Sequence, residues 1–227
     1  MSIRVSWIIG IDEVGRGALA GPVVVCALAC PADYNIKKEG QRVGLVPLRD
    51  SKKLTAQQRE EWARWLRGNK NIRFSLAFAS PVTIDKINIS AAANRCAWKA
   101  VTRVLGFVDP IINWKRKVGA KERRGVRIIL DGGLHIKNKD FQKQFNANTL
   151  PKADERFPVV SAASILAKVN RDFLMNRLDK KYPGYGFSKN VGYGTRVHIN
   201  KIKVSGFVPV HRQSFLGGVI GKRDYPL

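Results

Sequence analysis

Residues 7–22 read Trp-Ile-Ile-Gly-Ile-Asp-Glu-Val-Gly-Arg-Gly-Ala-Leu-Ala-Gly-Pro. The apolar run Trp7–Ile11 has the make-up of a buried strand. It leads straight into two adjacent carboxylates, Asp12 and Glu13, and the triplet Gly15-Arg16-Gly17 follows. Like charges at a buried strand end repel unless a cation offsets them. Carboxylates hold hard divalent cations, and glycines let a ligand approach the main chain. The expectation is metal-dependent chemistry on a ligand that lies against backbone. Adjacent strand residues face opposite ways. A bend near Asp12 is therefore expected if both acids serve one metal pair.

Working outward, Trp7–Asp12 and Val23–Cys30 read as strands of a hairpin around the Gly15–Gly21 turn. Residues 31–50 are polar and irregular, which predicts a loop. Thr55-Ala-Gln-Gln58 is a capping-box pattern and opens a helix that runs to Arg67 and stops at Gly68. Ile72–Phe78 alternates as a strand. Ser90–Leu105 is an alanine-rich helix. Val126–Leu130 is a short apolar strand ending at Asp131-Gly132-Gly133. Val159 to about Lys180 is a long helix stopped before Pro183, and another helix starts near Thr195. Strands alternating with helices predict an α/β or α+β layered domain. Two of the strands deliver carboxylates at their C-terminal ends, where sites of such folds lie. The expected division is a core over residues 1–180 and a small helical C-terminal subdomain over residues 181–227.

The chain of 227 residues carries 41 Lys and Arg against 17 Asp and Glu, a net charge of +24. Such an excess costs self-repulsion and is matched to a polyanion. Nucleic acid fits, with an affinity that falls steeply with salt. A membrane surface would want an amphipathic helix with a basic face, and none stands out. No run approaches the roughly 18 apolar residues of a membrane span. The N-terminus lacks the apolar region of a secretory signal, so a cytoplasmic location is expected. Cys26, Cys30 and Cys96 are too few and too scattered for a disulfide framework. His135, His198 and His211 are not spaced to complete a zinc site. The cysteines read as small buried apolar side chains. The basic residues Lys115, Arg116, Lys117, Lys121, Arg123, Arg124 and Arg127 read as an exposed loop.

Four acids are candidates for one site: Asp12, Glu13, Asp131 and Asp154. Asp131 could instead cap a turn, and Asp154 the following helix. If the four converge, two Mg²⁺ or Mn²⁺ ions about 4 Å apart could clamp a scissile phosphate. Carboxylates suit those ions. No Ser-His-Asp or Cys-His pattern competes, and no phosphate-binding Gly-rich loop of the Walker type is present.

The sequence resembles the ribonuclease HII family, the type 2 ribonucleases H. The resemblance rests on Asp12-Glu13-x-Gly15-Arg16-Gly17 with Ala20-Gly21-Pro22, Asp50-Ser51-Lys52-Lys53-Leu54 and Ile84-Asp85-x-Ile87-Asn88. It continues through Asp131-Gly132, Lys152-x-Asp154, and Ser161 to Asp172 with Ser164, Lys168 and Arg171. It ends with Tyr182 to Gly186, Gly192-Tyr193-Gly194-Thr195 and His211-Arg212-x-Ser214-Phe215. These blocks stand in family order. The resemblance implies a ribonuclease H-like layered α/β core with a mixed central sheet flanked by helices. It implies a monomer that cleaves the RNA strand of RNA/DNA hybrid duplexes and DNA at single embedded ribonucleotides, leaving 3′-hydroxyl and 5′-phosphate ends. Asp12, Glu13, Asp131 and Asp154 are then the ligands of two divalent ions, and Asp172 is supporting. Gly15, Arg16 and Gly17 would read the 2′-hydroxyl through backbone groups, the one feature that separates RNA from DNA at a single site. Tyr193 would stack on the sugar of the following deoxynucleotide. Ser51, Lys52, Lys53, Ser164, Lys168 and Arg171 are candidate substrate contacts. The segments 32–49 and 113–124 look longer than the family pattern. The rival reading from another class is a nucleic-acid-binding protein without catalysis, and a metal-dependent turnover assay separates the two.

Overall fold

The computed structural model of the protein describes residues 6–108 and 125–218. In chain order the strands are β1 (Trp7–Val14), β2 (Val23–Pro31), β3 (Arg73–Ala79), β4 (Val126–Asp131) and β5 (Ala147–Leu150). The helices are α1 (Ile36–Arg42), α2 (Ala56–Gly68), α3 (Pro81–Ile87), α4 (Ile89–Val108), α5 (Lys139–Phe145) and α6 (Ala153–Arg156). They continue with α7 (Pro158–Lys181), α8 (Phe187–Asn190), α9 (Arg196–Ser205) and α10 (Gln213–Leu216), and a 3₁₀ turn occupies Ser51–Lys53. One mixed sheet has the order β3-β2-β1-β4-β5. β1 pairs antiparallel with β2 and β2 with β3, while β1–β4 and β4–β5 are parallel. The layered α/β core with a mixed sheet is the expected architecture.

Both faces of the sheet are covered, so β2 is buried from Val23 to Cys30. On one face Ile9, Ile11, Val25 and Ala27 pack against α4, whose Ala93, Cys96, Ala97 and Ala100 keep the contact shallow. On the other face Val24, Cys26 and Leu28 pack with Trp62 of α2 and Ile165, Leu166 and Val169 of α7. Gly10 sets the spacing there. A Cβ on it would stand 2.5 Å from the carbonyl carbon of Val159 and 2.6 Å from the Val160 nitrogen. Helix α2 opens with the reciprocal Thr55–Gln58 capping box. The three cysteines are free and buried.

A third apolar cluster gathers Tyr185, Phe187, Ile202 and Leu216 around Ala20 and Met175 of the core. Short helices in the C-terminal part are thereby tied to the loop between β1 and β2.

Several expectations are corrected. Strand β1 does not end or bend at Asp12. Its pairing with β2 continues through Glu13↔Val25 and Val14↔Val24. Residues 31–50 are not all loop: α1 lies there because Gly40 lets the ring of Trp62 sit where a Cβ would be. Arg127 is on β4, its guanidinium 5.8 Å from the ring centroid of Phe157, rather than in a loop. The rest of the basic run, and the whole of segment 113–124, lie outside the described residues. No described helix is long and apolar enough to cross a membrane.

Candidate active site

Parallel pairing places the ends of β1 and β4 side by side, Ile11 opposite Leu130, with Asp12 and Asp131 next along each strand. Gly10 faces α7, so by alternation Asp12 does too, where the Ser164 hydroxyl of α7 favours its charged form. Glu13 turns to the other side, toward Gly133 and Arg16. The two acids thus flank the sheet edge without a bend, and Asp131 on the neighbouring strand serves as their common neighbour. Asp131 Oδ1 accepts the Ala153 N–H at 2.7 Å, which draws the start of α6 and hence Asp154 to the same end of the sheet. The Ser161 hydroxyl donates to the Asp154 carbonyl and fixes α6 on α7.

The electrostatics agree with that convergence. Burial raises the Asp12 pKa well above the usual carboxylate range, with Glu13 and Asp131 adding to the rise. Burial raises Glu13 as well; Arg16 opposes and Asp131 reinforces. Asp154 is raised by burial, then by Asp131 and Asp50, against Lys52. Arg16 Nη1 reaches one oxygen of Glu13 at 3.4 Å, while Glu13 Oε2 is buried with no hydrogen-bond partner. An ionised oxygen left bare in the interior is costly. Among the described residues no group of three or more His, Cys, Asp or Glu side chains is placed close enough to hold a metal ion as it stands. An all-carboxylate set with one bare buried oxygen fits a hard divalent ion.

The loop after β1 borders these acids. Gly15 has φ +85°, and a Cβ there would stand 2.0 Å from Nε of Arg171. Arg16 spans outward, donating to the Gly133 carbonyl at 3.0 Å and to Ser90 Oγ at 2.8 Å. Gly17 looks into open space whose nearest boundary is the Tyr193 ring, 4.0 Å from the Cβ position. Tyr193 is 40% exposed, so it is not a core plug. Its carbonyl is held by a histidine relay. His198 Nδ1 is 2.9 Å from Tyr193 O, and His198 Nε2 is 3.0 Å from His211 Nε2. Burial lowers both imidazole pKa values, His211 to about 4, so the neutral forms are relevant. A carbonyl can only accept, so His198 carries its proton on Nδ1. His211 Nε2 must then donate to His198, leaving His211 Nδ1 to accept the Val208 N–H at 2.9 Å.

The remaining candidates fall on both sides of the surface. Lys52 and Lys53 are exposed, whereas Ser51 is buried and shares a 2.9 Å bond with Ser164. Lys168 is held by Asp172 at 2.8 Å, and Asp172 also faces Arg59 at 3.9 Å. Arg59 donates to the carbonyls of Ser51 and Leu54, so Asp172 supports the 3₁₀ turn, in line with its expected supporting place. Arg171 is the clear departure. It has no solvent exposure and cannot be a surface phosphate contact. Its position was legible: Ala167, Arg171 and Met175 recur every four residues on the buried stripe of α7. Asp85 and Asn88 also prove structural, Asp85 capping α10 and Asn88 capping α4. His198 and Arg212 were not singled out as functional, since neither a lone His nor an Arg announces burial.

A mixed five-stranded sheet of this order, covered by helices on both faces, is a ribonuclease H-type fold, with acids at the ends of two adjacent parallel strands. The comparisons take the identification further. The ribonuclease HII family model matches residues 9–217. A ribonuclease HII of Thermosynechococcus vestitus is 36% identical over 95% of this chain and 86% of its own. That of Treponema denticola is 37% identical over 91% and 96%. The chain superimposes with a TM-score of 0.63 on the PCNA:RNase HII complex structure from Archaeoglobus fulgidus, at 26% identity, over 91% of this chain and 93% of that one. The chain belongs to the ribonuclease HII family and is a ribonuclease H hydrolase.

Proposed function

We propose that this protein is an endonuclease that cuts the RNA strand of RNA/DNA hybrids and also cuts at single ribonucleotides embedded in duplex DNA, with divalent metal. The observation that carries the reading is the placing of four acids at one end of the sheet: Asp12 and Asp131 close paired parallel strands, Asp131 holds the Ala153 amide beside Asp154, and Glu13 Oε2 is buried and bare. Asp12, Glu13, Asp131 and Asp154 would hold two Mg²⁺ or Mn²⁺ ions. Held there, such ions would offset charge on the phosphate and lower the pKa of a bound water. Ser164 and the Ala153 amide keep Asp12 and Asp131 oriented for that task. Water oxygen bonds to phosphorus, the P–O3′ bond breaks, and the products carry a 3′-hydroxyl and a 5′-phosphate.

The chain's own groups set which bond is cut. Backbone donors of Gly15–Gly17 meet the ribose 2′-oxygen, and the Tyr193 ring lies against the next sugar. Lys52 and Lys53 hold phosphates from the side of Asp154. The net charge of +24 draws the duplex in. The test is a 5′-labelled duplex carrying one ribonucleotide, incubated with Mg²⁺ or Mn²⁺ and with EDTA. Metal-dependent cutting beside the ribonucleotide is expected. Cutting of continuous hybrids alone would remove the embedded-ribonucleotide part of the reading, and no cutting of either would remove it whole.

A further inference from the structure

Two arginines without solvent exposure lie beneath the loop that follows β1. Arg171 donates from Nε to the Pro22 carbonyl at 2.9 Å, from Nη1 to Val191 O at 2.7 Å and from Nη2 to Ala20 O at 3.1 Å. Arg212 donates from Nε to Gly21 O at 3.0 Å, from Nη1 to Arg16 O at 2.8 Å and from Nη2 to Gly15 O at 2.7 Å. All six acceptors are main-chain carbonyls. Among the described residues neither arginine makes an ion pair with a carboxylate. Buried cations are ordinarily paired with an opposite charge because desolvation is expensive. Here two stand near one another with peptide carbonyls as their hydrogen-bond partners and an aromatic ring near each, Tyr193 at 5.9 Å from the Arg171 guanidinium and Phe215 at 5.3 Å from that of Arg212.

The direction of those carbonyls gives the pair a use. In a planar trans peptide the C=O and the N–H point opposite ways. The Gly15 carbonyl shares its peptide with the Arg16 N–H, and the Arg16 carbonyl shares its peptide with the Gly17 N–H. Pulling both carbonyls down onto the fork of Arg212 therefore turns both amides up, away from the interior. Among the described residues neither amide donates to a protein acceptor. The face they look onto is the open space at Gly17, bounded by Tyr193. A cation on the carbonyl end of each peptide also polarises it, which strengthens the amide as a donor.

We propose that Arg212, buttressed by Arg171 under Gly15, is a positioning residue that presents the Arg16 and Gly17 amides as a paired, polarised donor to the 2′-oxygen of the ribonucleotide at the scissile site. This rests on the reading that the loop meets the sugar. The charge of Arg212 acts through the peptides and never touches substrate. Its burial puts that charge where salt does not screen it.

The test compares Arg212→Lys, which keeps the charge and loses the fork, with Gly17→Val, which blocks the open face and leaves the fork intact. Each is assayed for single-turnover cleavage of a one-ribonucleotide duplex, for Mn²⁺ affinity by calorimetry and for melting temperature. Arg212→Lys should stay folded, bind Mn²⁺ as the parent does, and cut about 100-fold more slowly, the order of loss seen when one preorganised donor is removed. Arg212→Ala should regain cleavage on addition of millimolar methylguanidinium and not of urea. Cleavage by folded Arg212→Lys within about threefold of the parent would overturn the proposal, as would an equal loss in Mn²⁺ affinity. If Arg212→Lys does not fold, Arg212→Gln and the methylguanidinium rescue decide by the same criteria. Should Gly17→Val cut normally, the sugar-reading premise itself is wrong. Should Gly17→Val fail and Arg212→Lys cut normally, only the arginine assignment is wrong.

Discussion

Replacing Gly10 with alanine adds one methyl group, and the structure says where it goes. The new Cβ would lie 2.5 Å from the carbonyl carbon of Val159, 2.6 Å from its oxygen and 2.6 Å from the Val160 nitrogen. These are backbone atoms at the start of α7, and a side-chain rotation cannot relieve them. Either β1 or α7 must move, by about 0.9 Å, to bring the closest pair from 2.5 Å to ordinary contact at 3.4 Å. Overpacking of this kind typically costs about 1–3 kcal/mol, and a clash with backbone belongs at the upper end. For a chain of this length 3 kcal/mol corresponds to a melting temperature lower by roughly 6–12 °C. Cleavage should fall too, since β1 carries Asp12 and α7 carries Ser164, whose hydroxyl favours the charged form of that carboxyl. Gly106 of α4 is the control: nothing lies within 4 Å of its Cβ position. The same glycine-to-alanine change there should stabilise by about 0.5–1 kcal/mol through helix propensity and the unfolded chain. Denaturant midpoints with unchanged m-values measure both. If Gly10→Ala shifts the midpoint no more than Gly106→Ala, the close approach of β1 to α7 is not as described and the reasoning fails.

Three further outcomes are expected. Asp131→Asn should cut cleavage by at least about 1000-fold, in line with losing a central charge of a preorganised site, while fluorescence anisotropy shows hybrid binding close to the parent's; near-normal turnover in Mg²⁺ would sink the metal assignment. Tyr193→Ala should slow cutting at a lone ribonucleotide at least as much as along a continuous hybrid, and the opposite order would count against junction sensing. The raised pKa values of Asp12 and Glu13 give a pH signature. A folded carboxyl with a raised pKa binds more protons than its unfolded counterpart. Metal-free stability should therefore fall as pH rises through the raised pKa values, while cleavage, which needs ionised ligands, should rise over the same window. Asp12→Asn should raise the melting temperature in EDTA at neutral pH and remove the gain that Mn²⁺ gives the parent. A variant that melts lower than the parent in EDTA would contradict the electrostatic account.

Where pattern and local chemistry agree, the sequence announced its structure. The hairpin of β1 and β2, the capped start of α2, the acid ending β4 and the long α7 were all readable from periodicity and end signals. Strand β5 was not, because four residues with a mostly half-buried pattern carry no period. Helix α1 was hidden by Gly40 and its polar neighbours, and only the ring of Trp62 explains a glycine there. The acids were legible because a charge closing an apolar run is conspicuous in a chain so basic. No bend separates Asp12 from Glu13, since the pairing of β1 with β2 runs on through Val14. Arg212 and His198 escaped notice, and Arg171 was read as a substrate contact, for the converse reason. Their surroundings are assembled from distant segments, and long charged side chains are ordinarily exposed.

The fastening of the loop by two guanidinium groups also bears on how freely this sequence can drift. Its acceptors are the carbonyls of residues 15, 16, 20, 21, 22 and 191, and every amino acid carries a carbonyl. A side-chain to side-chain lock of the same reach would be vulnerable to substitution at both ends of every bond. Here the hydrogen bonds themselves constrain the identity of two positions only. What further restricts the six is backbone shape, as at Gly15 and Gly21 with φ of +85° and +82°. Variation at Ala20 or Val191 can therefore retune packing against the third apolar cluster while the latch stays closed, and the burden of its survival falls on Arg171 and Arg212.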